Sequence, residues 1–435
     1  MKKYLFGLCM LLACGCTFVA CSDDDDPVIV NPEPKPEPEP EIVNVNVTLN
    51  FAAPADLAKN SPSVAIESLT LKEINTGVTT PVVVKGTRAE GASITVNVPE
   101  GLYTIDMEGV ITYNLDGKAT YSKLRAFKEN VTVTAATAAT PVSVEGSLYN
   151  ENAGFVIAEI YFTGSATPEG KQYSGDQYFR IYNNSNEELC ANGLTIAESE
   201  FMTVDKEEYT PDIMNEAFAT NAIYRIPVEG EKIMVKPGES LLIVDNAINH
   251  KDACSTSFDL SKADFEWYDP NDNPSFQDVD NDKVPNLEKI YCYTKTIWGL
   301  HNRGFKSYVL ARLGDEEAKQ LTAEAYLNEY KYDYSYEFVY PGGVIPMKRS
   351  AYKIPNKWIL DAVNLSVESE YQWTVTAPSL DKGWSYCGKV DGDKTRYNKS
   401  VRRKVLSGKT LQDTNDSSKD FLPEQAADPY FAFHK

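Results

Sequence analysis

Between residues 42 and 146, apolar side chains recur at every second position, and that rhythm leaves the chain few folds to choose from. Val43, Val45, Val47 and Leu49 alternate with polar residues, as do Ile94, Val96 and Val98. After Pro99, Glu100 and Gly101 the alternation resumes with Tyr103, Ile105 and Met107. A period of two turns one row of side chains into a core and the other to water, which is the pattern of a half-buried strand. Gly, Pro and Asn turns separate these runs, and no long segment of period 3.6 interrupts them. The spacing predicts a small antiparallel β-sandwich over residues 42–150.

Residues 151–435 carry more strand-like runs, opening with Phe155, Val156, Ile157, Ala158, Glu159 and Ile160. Tyr178, Phe179, Ile181 and Tyr182 form a second run, and Leu241, Leu242, Ile243 and Val244 another. Pro237 and Gly238 supply a turn before the latter, whose unbroken apolar character predicts a strand buried on both faces. Asn183, Asn184, Ser185 and Asn186 mark a turn between strands. The stretches 201–224 and 249–295 are long for connections, and long ordered insertions on β scaffolds tend to carry function. The predicted class is therefore all-β, with two sandwiches in series.

Ahead of them stands a different kind of segment. Lys2 and Lys3 precede a run of apolar and small residues that ends at Ala20, the pattern of a secretory signal peptide over residues 1–20. Residues 21–41 begin with Cys21, Ser22, Asp23, Asp24, Asp25 and Asp26 and continue with Pro at alternate positions between Glu and Lys. Pro at that spacing blocks helix and sheet alike, so the segment is expected to be an extended polyproline stalk of about 3.1 Å per residue.

Several motifs carry resemblances. Phe18, Val19, Ala20 and Cys21 resemble a bacterial lipobox, which implies cleavage before Cys21 and lipidation of its thiol and new amino group. Ser22 and Asp23 to Asp26 resemble the export tag that sends lipoproteins of the Bacteroidota to the outer face of the outer membrane. Residues 94–105 resemble the strand, Pro-Gly turn and Tyr-bearing strand of transthyretin-like and carboxypeptidase-regulatory modules, which are mostly spacers. The second region resembles a lamin-tail domain, an immunoglobulin-like sandwich. The shared pieces are I-x-E-I at 157–160, Y-F-x-I-Y-N at 178–183, P-G-E-x-L-L-I at 237–243, D-A-V at 361–363 and D-T-N-x-S-x-x-D-F at 413–421. Together they resemble a family of uncharacterised Bacteroidota surface lipoproteins. That resemblance implies an accessory binder beside a TonB-dependent nutrient transporter; the alternative is an adhesive or structural surface protein, and a degraded hydrolase comes third.

Charge and composition limit the choices. Of 435 residues 42% are hydrophobic and the formal charge is −21, becoming −23 when Lys2 and Lys3 leave with the signal. So acidic a surface repels phosphate backbones, which argues against nucleic-acid partners and against lying flat on anionic lipid. Cys190, Cys254, Cys292 and Cys387 follow the cut, and outside the cytoplasm they would form two disulfides or remain buried thiols. Three histidines, with no HExxH, no GxSxG and no phosphate loop, give catalysis little support, and no cofactor is expected. His250 and Cys254 are the nearest approach to a nucleophile pair.

Three constellations remain as candidate sites. Asp278, Asp280 and Asp282 stand at i, i+2 and i+4, a spacing that can converge on calcium. Lys283 and Lys289 occupy the places where a calcium loop needs Gly and Glu, so a solvated acidic loop accounts for the run first. Tyr332, Tyr334 and Tyr336 belong to a row from Tyr330 to Tyr340, with Phe338, on one face of a strand. Packing on the core is the first reading of that row, which Phe338 suits; a half-open platform for sugar rings, a flat cofactor or a partner protein is the second. Trp267, Tyr268 and Trp298 lie in or beside the long acidic insertion, where they would either anchor the loop or stack on a captured ligand.

Overall fold

A computed structural model describes residues 42–82, 88–89, 92–115, 118–149, 154–273, 276, 278–294, 296–315, 319–407 and 409–433. The signal segment, Cys21, Ser22 and Asp23 to Asp26, the stalk and His434 lie outside the described residues. From Val43 onward the chain forms one compact unit that is nearly all β.

The first sandwich uses β1 (Asn44–Ala52), β2 (Ser63–Glu73), β3 (Ala92–Pro99), β4 (Gly101–Leu115), β5 (Lys118–Val133) and β6 (Val142–Tyr149). Strands neighbour one another in the order β2, β4, β5, β6, β1, β3. The period-two rows meet inside: Val47, Leu49, Leu71, Val98, Ile105, Ile111 and Leu124 share one core. Burying each such side chain contributes about 1.5–3 kcal/mol. β6 closes the sandwich by changing partners midway. Its first half pairs with β1 and its second half with β5, and the switch falls at Gly146, where a Cβ would come within 2.7 Å of the Leu124 side chain. The β1–β6 ladder is parallel, a departure from the all-antiparallel expectation. A strand that closes two sheets takes its direction from the crossover, which strand-by-strand alternation does not encode.

The second sandwich has two larger sheets. One contains β7 (Phe155–Tyr161), β8 (Tyr178–Asn183), β11 (Ser240–Val244), β17 (Lys399–Arg403) and β18 (Phe421–Ala426), in the order β11, β8, β7, β17, β18, with the two-residue strand Phe265–Glu266 outside β11. The other contains β9 (Leu194–Ser199), β10 (Ala217–Arg225), β12 (Glu288–Cys292), β13 (Ser307–Arg312), β14 (Lys331–Tyr340), β15 (Gly343–Pro355) and β16 (Ile359–Asn364). Its order is β14, β15, β10, β9, β13, β16, with β12 added to β10. Phe155, Ile157, Phe179, Ile181, Ile243, Trp267, Tyr308 and Val363 fill the space between the sheets. Gly238 (φ +83°) makes the turn expected before β11, and β11 is buried along nearly its whole length. Cys190, Cys254, Cys292 and Cys387 are free thiols; the buried-thiol reading holds for Cys254 and Cys387, while Cys190 and Cys292 are half-buried.

The sandwiches meet across a charged seam. Arg125 of β5 is buried, with Asp416 at 3.6 Å, Glu108 at 3.7 Å and Asp106 at 3.9 Å. Lys382 pairs with Asp106 and lies over the Phe127 ring at 5.4 Å.

Candidate functional site: an aromatic cleft between the sandwiches

Beside that seam opens a cleft of about 660 Å³. Lys72, Ile74, Thr104, Glu129 and Asn130 of the first sandwich form one wall. The other wall comes from the insertion after β9 (Phe201, Lys206 to Tyr209, Asp212 to Met214), from Tyr332 of β14 and from 371–375.

The far wall is an aromatic ladder. Phe201 stacks on Tyr209 at 3.9 Å and 20°, and Tyr209 lies nearly parallel to Trp373 at 6.0 Å and 25°. Tyr334 meets both Phe201 (5.2 Å) and Tyr209 (5.6 Å) edge-on. Such offset and edge-to-face pairs each contribute about 0.5–1.5 kcal/mol beyond area burial. The loop that carries them is strapped down. Trp373 donates its Nε1–H to the Met202 carbonyl at 2.9 Å, and Gln372 donates its backbone N–H to Thr203 at 2.9 Å and its Nε2–H to Val204 at 2.7 Å. The Tyr332 hydroxyl donates to the Pro211 carbonyl at 2.7 Å.

Charges of both signs face the ladder. Lys206 Nζ stands 5.6 Å from the Trp373 ring centroid. Across the cleft, burial holds the Glu129 carboxyl above its ordinary range, with Lys206 pulling it back. Burial pushes the Tyr332 and Tyr371 phenols up to about 12. Flat rings flanked by a cation and a carboxyl can stack on a ring and hydrogen-bond its substituents. Among the described residues that line the cleft there is no histidine or cysteine.

The sequence-predicted residues divide. Tyr332 and Tyr334 are buried at the base of β14, Tyr336 is half-buried, and Phe338 and Tyr340 are exposed at 44% and 43%. The row therefore runs from core to solvent, and Phe338 stands outside the core expected for it, because β14 outlasts the sheet beneath it. Trp267 and Trp298 do not reach a ligand face. Trp267 is fully buried and donates to the Trp298 carbonyl at 3.2 Å, while Trp298 stacks on Tyr224 at 4.7 Å, so both anchor the insertion. Tyr268 beside them is half-buried.

The carboxylates of the 278–282 run point in different directions, as the solvated-loop reading of that run expects. Asp278 accepts the backbone N–H of Asp269 and of Val279, Asp280 accepts from the Asn286 amide, and Asp282 faces solvent. Among the described residues no three Asp, Glu, His or Cys side chains converge as a metal site would require. Asp245, buried near Asp278, Asp269, Asp176 and Glu266, is driven well above the carboxylate range, chiefly by desolvation. His250 is no base for Cys254: its ring nitrogens meet the Tyr173 hydroxyl and the Asn246 carbonyl, each at 2.8 Å.

Phe201, Tyr209 and Trp373 of the ladder carry no sequence signal that sets them apart. They come together only because the loop after β9 and the strap at 371–375 converge. The one legible hint was the length of the 201–224 connection.

Two β-sandwiches sharing an aromatic cleft make this an all-β protein. Residues 236–428 match the model of a family described as "Protein of unknown function (DUF4876)". The fold is similar to that of the crystal structure of a DUF4876 family protein from Bacteroides thetaiotaomicron VPI-5482. The TM-score is 0.51 at 20% identity, over 88% of this chain and 96% of that one, a likeness of fold alone. No curated protein matches the chain.

Proposed function

We propose that the protein is a lipid-anchored, outward-facing outer-membrane protein that captures small ring-bearing ligands, sugars foremost, in the cleft between its sandwiches. It serves an uptake partner such as a TonB-dependent transporter and performs no catalysis. The observation that carries this reading is the stacked ladder of Phe201, Tyr209 and Trp373, with Lys206 beside it and Glu129 on the facing wall. Rigid aromatic faces supply stacking area at low entropic cost, and the two charges supply hydrogen bonds to ring hydroxyls.

The test is a glycan and small-molecule screen on the soluble chain, followed by calorimetry on any hit. Tyr209→Ala should weaken a hit about tenfold or more, since each 1.4 kcal/mol of lost stacking is a factor of ten. A hit indifferent to Tyr209→Ala and to Lys206→Ala would sink the cleft as the site. Pull-down from solubilised outer membrane reads the partner. Recovery of a TonB-dependent transporter supports uptake, whereas recovery of the lipoprotein alone moves adhesion or scaffolding to the front.

A further inference from the structure

β14 and β15 leave the sheet as a two-stranded ribbon. β10 pairs with β15 only from Tyr352 to Pro355, whereas the β14–β15 ladder runs on to Tyr340 and Gly343. At the ribbon's base, Thr210 bridges Ser335. Beyond that bridge no other strand among the described residues pairs with the ribbon.

The tip is apolar on both faces. Directly opposed residues of an antiparallel pair share a face and successive residues alternate. Phe338 and Ile345 therefore stand on one face, and Val339 and Val344 on the other. All four are exposed, Val339 by 68% and Val344 by 54%. A two-stranded hairpin is only marginally stable in water, so leaving one apolar on both sides has a cost that a binding event would recover.

The chemistry of the ribbon changes abruptly towards its base. From Phe338 to Met347 it carries no charge; Lys348 and Arg349, both exposed, follow on β15. At about 3.4 Å per residue, Phe338 lies roughly 7 Å from the turn and Lys348 roughly 17 Å. Glu337 falls between them.

We propose that this tip enters the interface of an anionic lipid bilayer, with Lys348 and Arg349 at the level of the headgroups. Phe338 then lies about 10 Å beyond Lys348, at the deep end of the roughly 5–10 Å to which apolar groups of interfacial elements sink. Basic side chains just outside such a segment gain electrostatic attraction to anionic headgroups. A protein docked on the sheet would cover one face or the open edge of the ribbon. A tip that is apolar on both faces fits a medium that surrounds it. The negative charge of the rest of the chain then keeps the body off the surface and confines contact to the ribbon. The inference rests on the proposed placement at an outer membrane.

The experiment is vesicle flotation of the full mature chain bearing Cys21→Ser, which removes acylation and reads the ribbon alone. Vesicles of phosphatidylethanolamine with phosphatidylglycerol should carry the chain up the gradient. Val339→Asp with Ile345→Asp should lower the bound fraction about tenfold, and Lys348→Glu with Arg349→Glu should abolish its dependence on phosphatidylglycerol. Unchanged melting of both variants shows that the body is intact. Absence of flotation would overturn the proposal. So would concentration-dependent self-association abolished by Val339→Asp, because a second copy would then be the occupant. Detergent-phase partition of the chain with native Cys21 reads the anchor separately, so either reading can fail alone.

Discussion

Arg403 shows what single residues contribute here. Its guanidinium is buried among Asp361 (2.6 Å), Asp413 (3.1 Å) and Asp420 (3.7 Å), and it lies over the Phe421 ring at 4.6 Å. Asp361, Asp413, Asp420 and Phe421 are positions of the motifs on which the sequence resemblance of the second region rested. Glu159, from another of those motifs, accepts from Ser400, Tyr178 and Arg402. The signature therefore builds the electrostatic framework of the fold rather than a reactive site. One cation among three carboxylates is an unbalanced cage. Burial raises the Asp413 carboxyl to about 7, with Asp361 and Asp420 adding and Arg403 opposing. Its value in the unfolded chain is about 3.9. The folded chain thus holds more protons than the unfolded one between roughly pH 4 and 7, so this group's contribution declines as pH rises through that window and levels off above it. Asp413→Asn should flatten that decline. Urea midpoints measured from pH 4.5 to 8 for both proteins check it, and parallel curves would contradict it. Trp267, fully buried, belongs to the same scale: Trp267→Ala should cost about 3–5 kcal/mol, read by chemical unfolding.

Among the elements, β2 and β4 show where local pattern meets its limit. Their ladder shifts register between Ile66 and Ser68, so Glu67 is the extra residue of a bulge. Opposite sits Gly109, where a Cβ would fall 2.3 Å from the Ala65 carbonyl oxygen. Gly109→Ala should therefore destabilise by about 1–3 kcal/mol, the usual range for forcing atoms into filled space; differential scanning calorimetry reads it as a lowered Tm. The period-two rows of β1, β3 and β4 were legible residue by residue, because alternation is a local consequence of the pleat. The Tyr row of β14 was legible as a face, but its environment was not. Whether Tyr332 is buried and Phe338 exposed depends on where β10 stops pairing, some 120 residues away in sequence.

Across the whole compact unit, the seam decides behaviour. Arg125, Lys382 and Lys419 face Asp106, Glu108 and Asp416 across the two sandwiches. Such a seam couples two cores into one cooperative transition. Arg125→Glu would add a fourth carboxylate to three buried or half-buried ones. The native chain should unfold in one calorimetric transition and Arg125→Glu in two; one transition of equal width for both proteins would refute the coupling. By itself the sequence determined the all-β class, both sets of strands and the turns between them, since each depends on periodicity and turn chemistry within a few residues. It also carried the lipobox-like Cys21 and the acidic run after it, on which the proposed placement rests. Only the tertiary structure decided the rest: the parallel closure by β6, the burial of Trp267 and Trp298, the scattering of Asp278, Asp280 and Asp282, and the cleft itself. The physical reason is that a core face is written into every second residue. A site built from Glu129, Tyr209 and Trp373 exists only once chain segments more than two hundred residues apart have packed.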